Sequence, residues 1–225
     1  MTQATTHDHG KRLDRATIVA TGLEIASRPR TSAISIRTLG TALGADPTAV
    51  YRHFRGKDDL MRALLDEVQA IALSTVSGSE GDWRERLRRL SRATLETFVQ
   101  YPAIAVEATV LTTNGPAELA TMELILAAFA EAGLSGSDLV RHYALFASFV
   151  LSEAAGIARG RTGSGTATDD GLTSAAWFEG PLLVDPVTHS QIAAVAAELR
   201  ALRDEDIFGM GVDTILDSAE RAARS

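Results

Sequence analysis

The chain is expected to be all-α, with a small three-helix unit at its N-terminal end and a larger helical domain after it. Three observations lead there. Apolar residues recur at three- and four-residue spacing through most of the 225 residues. Pro, Gly, Ser and Asp stand at the ends of those runs, where helices stop and start. No internal repeat is visible, and no segment alternates or concentrates β-branched residues convincingly enough to read as a strand.

Residues 1–10 are polar and read as a frayed arm. Their His7 and His9 make an H-x-H pair, but two ligands with no third nearby make a poor metal site. The first helix spans Arg12 to Ser27, with Ala16, Val19, Ala20, Leu23 and Ala26 on one face; Gly22 allows a neighbour to come close, and Pro29 ends the pattern. Ser35 then precedes Ile36, Leu39 and Leu43, an i, i+3, i+7 stripe whose first free N–H groups the Ser35 hydroxyl can cap. Gly44 supplies positive φ just past that helix, and Asp46-Pro47 restarts the next one as N-cap and first helical residue. A stop and a start so close together hold two short helices at a steep angle. That is helix-turn-helix geometry, which presents the second helix to the DNA major groove. Pro47 to Phe54 would be the recognition helix, with Val50 and Phe54 inward and Thr48, Tyr51, Arg52 and His53 free for phosphates and bases. Gly56-Lys57-Asp58-Asp59 opens a fourth helix, to about Val76, with Leu60, Leu64 and Val68 on one face and acids in its first turn.

Ser77-Gly-Ser-Glu-Gly81 is a turn-rich break. Beyond it, Asp82 to Tyr101 sets Leu87, Leu90, Leu95 and Phe98 against Arg84, Arg88, Arg89 and Arg92, and Pro102 stops it. A short apolar helix over Ala103–Thr112 follows, then Pro116–Ala132 with Leu119, Met122, Leu126 and Phe129 inward. Ser137–Arg159 is apolar nearly all round (Leu139, Tyr143, Phe146, Phe149, Val150, Ala154, Ile157), so it needs cover on more than one side, which suggests a partner chain. Gly160–Thr173 is low in apolar residues and should be a mobile linker; its Gly163-Ser-Gly165 fits no phosphate-loop spacing. The pair Trp177-Phe178 is placed to close over something. Helices over Gln191–Leu202 and Val212–Ala223 finish the chain. The expected domains are an arm (1–10), a DNA-binding helix-turn-helix domain (11–60) and a helical ligand-binding and dimerisation domain (61–225).

Charge supports that division. The net charge is −7, yet residues 11–60 carry nine Lys and Arg against five Asp and Glu, while residues 61–225 carry thirteen against twenty-three. Positive charge is concentrated where phosphates would be met. Lys57, one of only two lysines, puts a compact ammonium beside free helix-end N–H groups, a pairing suited to phosphate. With no Cys, disulfides, thiolate metal sites and cysteine nucleophiles are excluded. No apolar stretch is long enough to span a bilayer and MTQATTHDHGKR holds no apolar signal region, so no membrane role and a cytoplasmic location are expected.

No catalytic constellation assembles. His142 lies on an apolar helix, where a hydrogen-bonded core histidine is the ordinary case; His189 sits near a helix start; Glu107, Glu123 and Glu153 have many arginines to pair with. HExxH and GxSxG are absent. No enzyme, cofactor or metal is expected.

The stretch LGADPTAVYRHFRGKDDLMRALL resembles the signature of the TetR family of bacterial transcriptional regulators, with the turn, Tyr-x-His-Phe and the following Lys at the family's spacing. The likeness covers roughly Arg12 to Leu65. It implies that Arg37, Pro47 and Thr48 face base edges, with Arg37 able to take a guanine bidentately, and that Ser35, Thr38, Tyr51, His53 and Lys57 hold phosphates. It further implies a homodimer, joined through Ser137–Arg159 and Gln191–Ala223, on a palindromic double-stranded operator. An apolar cavity lined by Phe98, Met122, His142 and Phe146 would take a small apolar or amphipathic effector that releases a repressor from DNA. No His stands near the end of the fourth helix, where the tetracycline-responsive members use one for the drug, so tetracycline fits poorly. The competing expectation is a ligand-sequestering or protein-interaction module whose helix-turn-helix is not used on DNA.

Overall fold

The computed structural model describes residues 13–28, 31, 33–76, 81–163, 177 and 183–224, and they are helical with no strand among them. The head is built from α1 (Arg15–Ala26), α2 (Ile36–Leu43), α3 (Pro47–Tyr51) and the start of α4 (Lys57–Ser74). Asp14 caps α1, its carboxylate accepting from Thr17 N at 2.7 Å. The buried face of α1 is Ile18, Gly22, Ile25 and Ala26. Of the face expected from spacing only Ala26 is buried; Ala16 and Ala20 are exposed, and Val19 and Leu23 are half-buried. Alanine on both sides of α1 makes its apolar stripe ambiguous, and Gly22 decides it. A Cβ there would lie 2.6 Å from Leu64 Cδ2, so α1 meets α4 at this glycine, as its presence suggested.

The body holds α5 (Trp83–Gln100), α6 (Pro102–Ala105), a 3₁₀ turn (Val106–Thr109), α7 (Pro116–Glu131), α8 (Gly136–Gly163), α9 (Ser190–Ala194), α10 (Ala196–Ala201) and α11 (Asp204–Ala223). The single helix expected over Ala103–Thr112 is instead one α-turn and one 3₁₀ turn. The β-branched run Val106, Thr109, Val110, Thr112, Thr113 is a poor helix former, and Asn114 (φ 52°) then turns the chain into Pro116. Of the four side chains expected inward on α7, only Phe129 is fully buried. Leu119 is 58% exposed and Met122 37%, while Ala117, Ile125 and Ala128 fill the inner face. Because α7 is apolar on nearly every side, its spacing does not select a face.

Two more boundaries moved. α8 runs to Gly163, four residues past its expected end, and the rest of the expected linker, residues 164–173, lies outside the described residues, as do Phe178 and the His7/His9 pair. The helix expected over Gln191–Leu202 is two short pieces broken at Val195, with no buried residue in either. α11, by contrast, begins eight residues early. Asp206 accepts from Arg203 N at 3.2 Å, and three acids occupy its first turn. The added stretch includes Gly209 and Gly211, and Gly211 is where α11 lies against the Phe149 ring of α8, which a Cβ would overlap.

α4 runs through both cores: Leu64 meets α1, and α5 and α7 pack along its length. Behind α5 lies α8, covered in turn by α11. Phe129 centres the body's aromatic cluster, its ring 6.2 Å from Trp83 and 5.9 Å edge-on from Phe146. Ion pairs tie α5 to α11, Arg84 to Asp217 and Glu220, Arg88 to Asp213 at 2.7 Å. Among the described residues no helix is long and apolar enough to cross a membrane.

Candidate DNA-contacting surface and effector cavity

The turn between α2 and α3 is held by local bonds that the residue types dictate. Ser35 Oγ accepts from Thr38 N at 3.0 Å and sits 2.7 Å from the Thr38 hydroxyl. Gly44 takes the left-handed conformation (φ 60°, ψ 29°), and Ala45 N returns to Gly40 O at 2.9 Å. A Cβ on Gly40 would stand 3.0 Å from Ala45 O and 3.3 Å from Pro47 N, so this glycine lets α3 start close against α2. Asp46 Oδ1 accepts from Thr48 N at 2.8 Å; the Thr48 hydroxyl first, and then this amide, hold its carboxyl below the usual range. α3 is one helical turn shorter than expected, but Val50 and Phe54 are buried as the spacing required.

That inward pair turns the polar residues out. Arg37 and Thr38 on α2, Pro47, Thr48 and Tyr51 on α3, and Lys57 opening α4 are exposed; Tyr51 is 55% open. Ser35 is exposed too, its hydroxyl engaged in the cap, and His53 is half-buried. One residue that sequence reasoning missed holds this surface. The Arg15 guanidinium donates to His53 O (3.0 Å) and Asp59 Oδ1 (3.0 Å) and lies 4.1 Å from the Phe54 ring centroid. Asp59 Oδ2 accepts from Arg55 N at 3.0 Å, so α1 fastens the whole α3–α4 corner through one carboxylate. The bonds from Arg15, then Arg55, lower the Asp59 pKa. Sequence offered Asp59 only as a first-turn acid; its partner lies 44 residues away.

In the body, a cavity of about 80 Å³ lies between α4, α5, α7 and α8. Phe98, Met122 and Phe146 are on its wall. His142 is not: its Nδ1 meets Asp138 O at 2.8 Å and its Nε2 meets Ser218 Oγ at 3.3 Å, so it bridges α8 to α11. Position 142 falls beside, not on, the i, i+3, i+4, i+7 stripe of Tyr143, Phe146, Ala147 and Val150 that α8 gives the cavity. The polar wall was missed. Glu118 and Thr121 from α7 and Tyr143 from α8 line it, and the Thr121 hydroxyl is buried with no hydrogen-bond partner among the described residues. Burial first, and then the Glu118 carboxylate, raise the Tyr143 pKa.

This wall is latched to α4. Asp66 Oδ1 accepts from Glu118 N (3.1 Å) and from the Thr113 hydroxyl (3.0 Å), and Oδ2 from Ala117 N at a longer 3.4 Å; an α4 carboxylate thereby caps the N-terminus of α7. Gly115 makes room, since a Cβ there would overlap that carboxylate. Arg62 Nε, one turn earlier on α4, donates to Thr112 O at 3.1 Å. A roomier cleft of about 310 Å³ between α5, α8 and α11 has two of its three guanidiniums engaged in place, Arg88 by Asp213 and Arg161 by Asp204 at 2.9 Å. The smaller cavity is the more apolar of the two and is taken as the effector candidate.

The chain matches the family model described as the tetracyclin repressor-like, C-terminal domain over residues 77–220. It is 28% identical over 211 residues to the HTH-type transcriptional repressor Rv1353c of Mycobacterium tuberculosis (strain ATCC 25618 / H37Rv), covering 91% of this chain and 79% of that protein. Identity is also 28% over 213 residues with the HTH-type transcriptional repressor DrrR1 of Streptomyces coeruleorubidus, covering 92% of this chain and 77% of that one. The crystal structure of the Streptomyces coelicolor TetR family protein ActR in complex with actinorhodin has the same fold: TM-score 0.75, 21% identity, 96% of this chain and 100% of that chain covered. The family match spans more than half of the chain and meets a head of capped, closely joined helices: this protein belongs to the TetR family of transcriptional regulators.

Proposed function

We propose that the protein is a repressor that grips a palindromic operator as a homodimer and lets go when a small apolar or amphipathic molecule enters the α4–α5–α7–α8 cavity. The observation that carries the DNA half is the outward set Arg37, Thr38, Pro47, Thr48, Tyr51 and Lys57 on a corner locked by caps and by Arg15. Arg37, Pro47 and Thr48 read base edges; Ser35, Thr38, Tyr51, His53 and Lys57 hold phosphates and set the register. Relatives named as repressors support the sign of regulation. Residues 11–60 act as the DNA-binding domain and 61–225 as the effector and dimer domain, working on chromosomal DNA in the cytoplasm and catalysing no reaction.

The dimer forms through α8 and α11. Their outer faces leave Val140 (59% exposed), Leu145 (51%) and Met210 (62%) open, and Ala144 and Ser148 continue the α8 stripe with small residues that allow close approach. Two heads so joined meet half-sites about 34–36 Å apart, one turn of DNA.

The effector half rests on the latch. Drug-sized ligands occupy roughly 300–1,000 Å³, so an effector must widen the 80 Å³ cavity. Glu118 and Thr121 sit on the helix whose start Asp66 caps, and widening at α7 therefore pulls on α4. Only a ligand with different affinity for the two head spacings shifts them; a coupling of about 1–3 kcal/mol gives 5–150-fold derepression. ActR, a protein of the same fold, is described in complex with actinorhodin.

The test is recovery of genomic DNA fragments by the purified protein at two salt concentrations, beside an Arg37→Ala/Tyr51→Phe/Lys57→Ala variant. Enrichment of a short palindrome, weaker at the higher salt and lost in the variant, is the expected result. Equal recovery by both proteins sinks the DNA reading.

A further inference from the structure

The cavity has a chemical polarity that narrows what it holds. Its body is apolar, with Phe98, Met122 and Phe146 on the wall. At the α7 end stand the Glu118 carboxylate and, one turn on, the Thr121 hydroxyl. Among the described residues Glu118 is the one charged side chain on the wall, and no Lys, Arg or His joins it. Its Oε2 takes Asn114 N at 2.7 Å and lies 2.7 Å from the Thr113 hydroxyl, whose single proton it shares with Asp66 Oδ1, and among the described residues nothing donates to Oε1. The buried Thr121 oxygen is likewise without a partner. The half-buried Glu118 carboxylate beside this apolar enclosure takes hydrogen-bond donors and repels an anion, and the Thr121 hydroxyl can accept from the same donor.

Resting on the cavity reading above, we propose that the effector is a small apolar amine: its ammonium donates to Glu118 and Thr121, and its hydrocarbon body packs against Phe98, Met122 and Phe146. Carboxylates and phosphate esters of the same shape are rejected, because the wall offers them no cation and one fixed negative charge. The contact falls on the segment Asp66 caps, so the group that selects the ligand is also the group nearest the route to α4.

The experiment measures binding of two probes with one ring system and opposite charge, 1-naphthylmethylamine and 1-naphthoate, to the full-length protein by calorimetry at pH 7. The amine should bind at least tenfold tighter than the carboxylate, and Glu118→Gln should bring the two within about threefold by weakening the amine. Glu123→Gln, which removes one exposed charge from the same helix, should leave the preference intact. Equal binding of the two probes, tighter binding of the naphthoate, or an amine preference that survives Glu118→Gln overturns the proposal while leaving the cavity reading standing. Binding of neither probe overturns the cavity reading itself, and the proposal with it.

Discussion

Asp66→Ala tests whether α4 and α7 are joined as the structure draws them. The substitution removes the carboxylate that accepts from Glu118 N at 3.1 Å and the Thr113 hydroxyl at 3.0 Å; the 3.4 Å bond from Ala117 N is long enough to count as weak. Losing a helix N-cap costs about 0.5–2 kcal/mol, and a hydrogen bond to a charged group is worth about 1.5–3. Asp66 is half-buried, so water can replace part of what is lost. The expected loss is then about 2 kcal/mol, or roughly 4–8 °C in Tm for a chain of this size. Thermal unfolding by circular dichroism gives the total, and amide hydrogen exchange locates it. Protection should fall at Ala117 and Glu118 and also along the facing stretch of α4, where Arg62 loses its well-placed Thr112 acceptor as the loop relaxes. A Tm within 1 °C of the parent, with unchanged exchange at both amides, refutes the cap (threshold of about a quarter of the effect). Faster exchange confined to α7 refutes the mechanical link while sparing the cap.

Three further outcomes are expected. Thr121→Val replaces a buried, unpartnered hydroxyl with a methyl of nearly equal volume; since such a group costs about 1–3 kcal/mol to desolvate, the Tm should hold or rise by about 2–4 °C, and a clear drop refutes the unpaired state. Arg15→Met keeps the stem over Phe54 but frees Asp59; both partners are partly exposed, so stability should change by less than about 1 kcal/mol while exchange at Arg55 N quickens, and an unchanged Arg55 amide counts against the corner clamp. On acidification, Asp46, Asp59 and Asp217 carry folded pKa values below the unfolded carboxylate range, Asp59 and Asp217 chiefly through Arg15 and Arg84. Their contribution is present above about pH 4 and is lost as pH falls through the lower folded values. Urea midpoints should therefore decline below about pH 4, and a midpoint that rises there contradicts the pairing.

Much of the head was legible in the residues alone, for a definite reason. Ser35, Gly44 and Asp46 act through bonds to groups no more than four residues away and Pro47 through its ring-fixed φ, so cap, stop and restart are properties of a short peptide and survive whatever packs around them. Val50 and Phe54 followed, because once the turn is set only one face of so short a helix can point in. Tertiary structure decided what spacing leaves open. On α1 and α7, where Ala and other apolar residues ring the helix, the buried side was chosen by neighbours: Leu64 against Gly22, and α8 against Ile125 and Phe129. Met122 came to the cavity's edge and His142 went to Ser218 for the same reason. Gly211, just outside the helix expected from spacing, lies within α11 as the contact that gives Phe149 its space. The Arg15–Asp59 clamp and the Asp66 cap join residues 44 and 52 positions apart. A carboxylate finds such partners only after the chain has folded, since nothing in the neighbouring residues distinguishes it from any other surface acid.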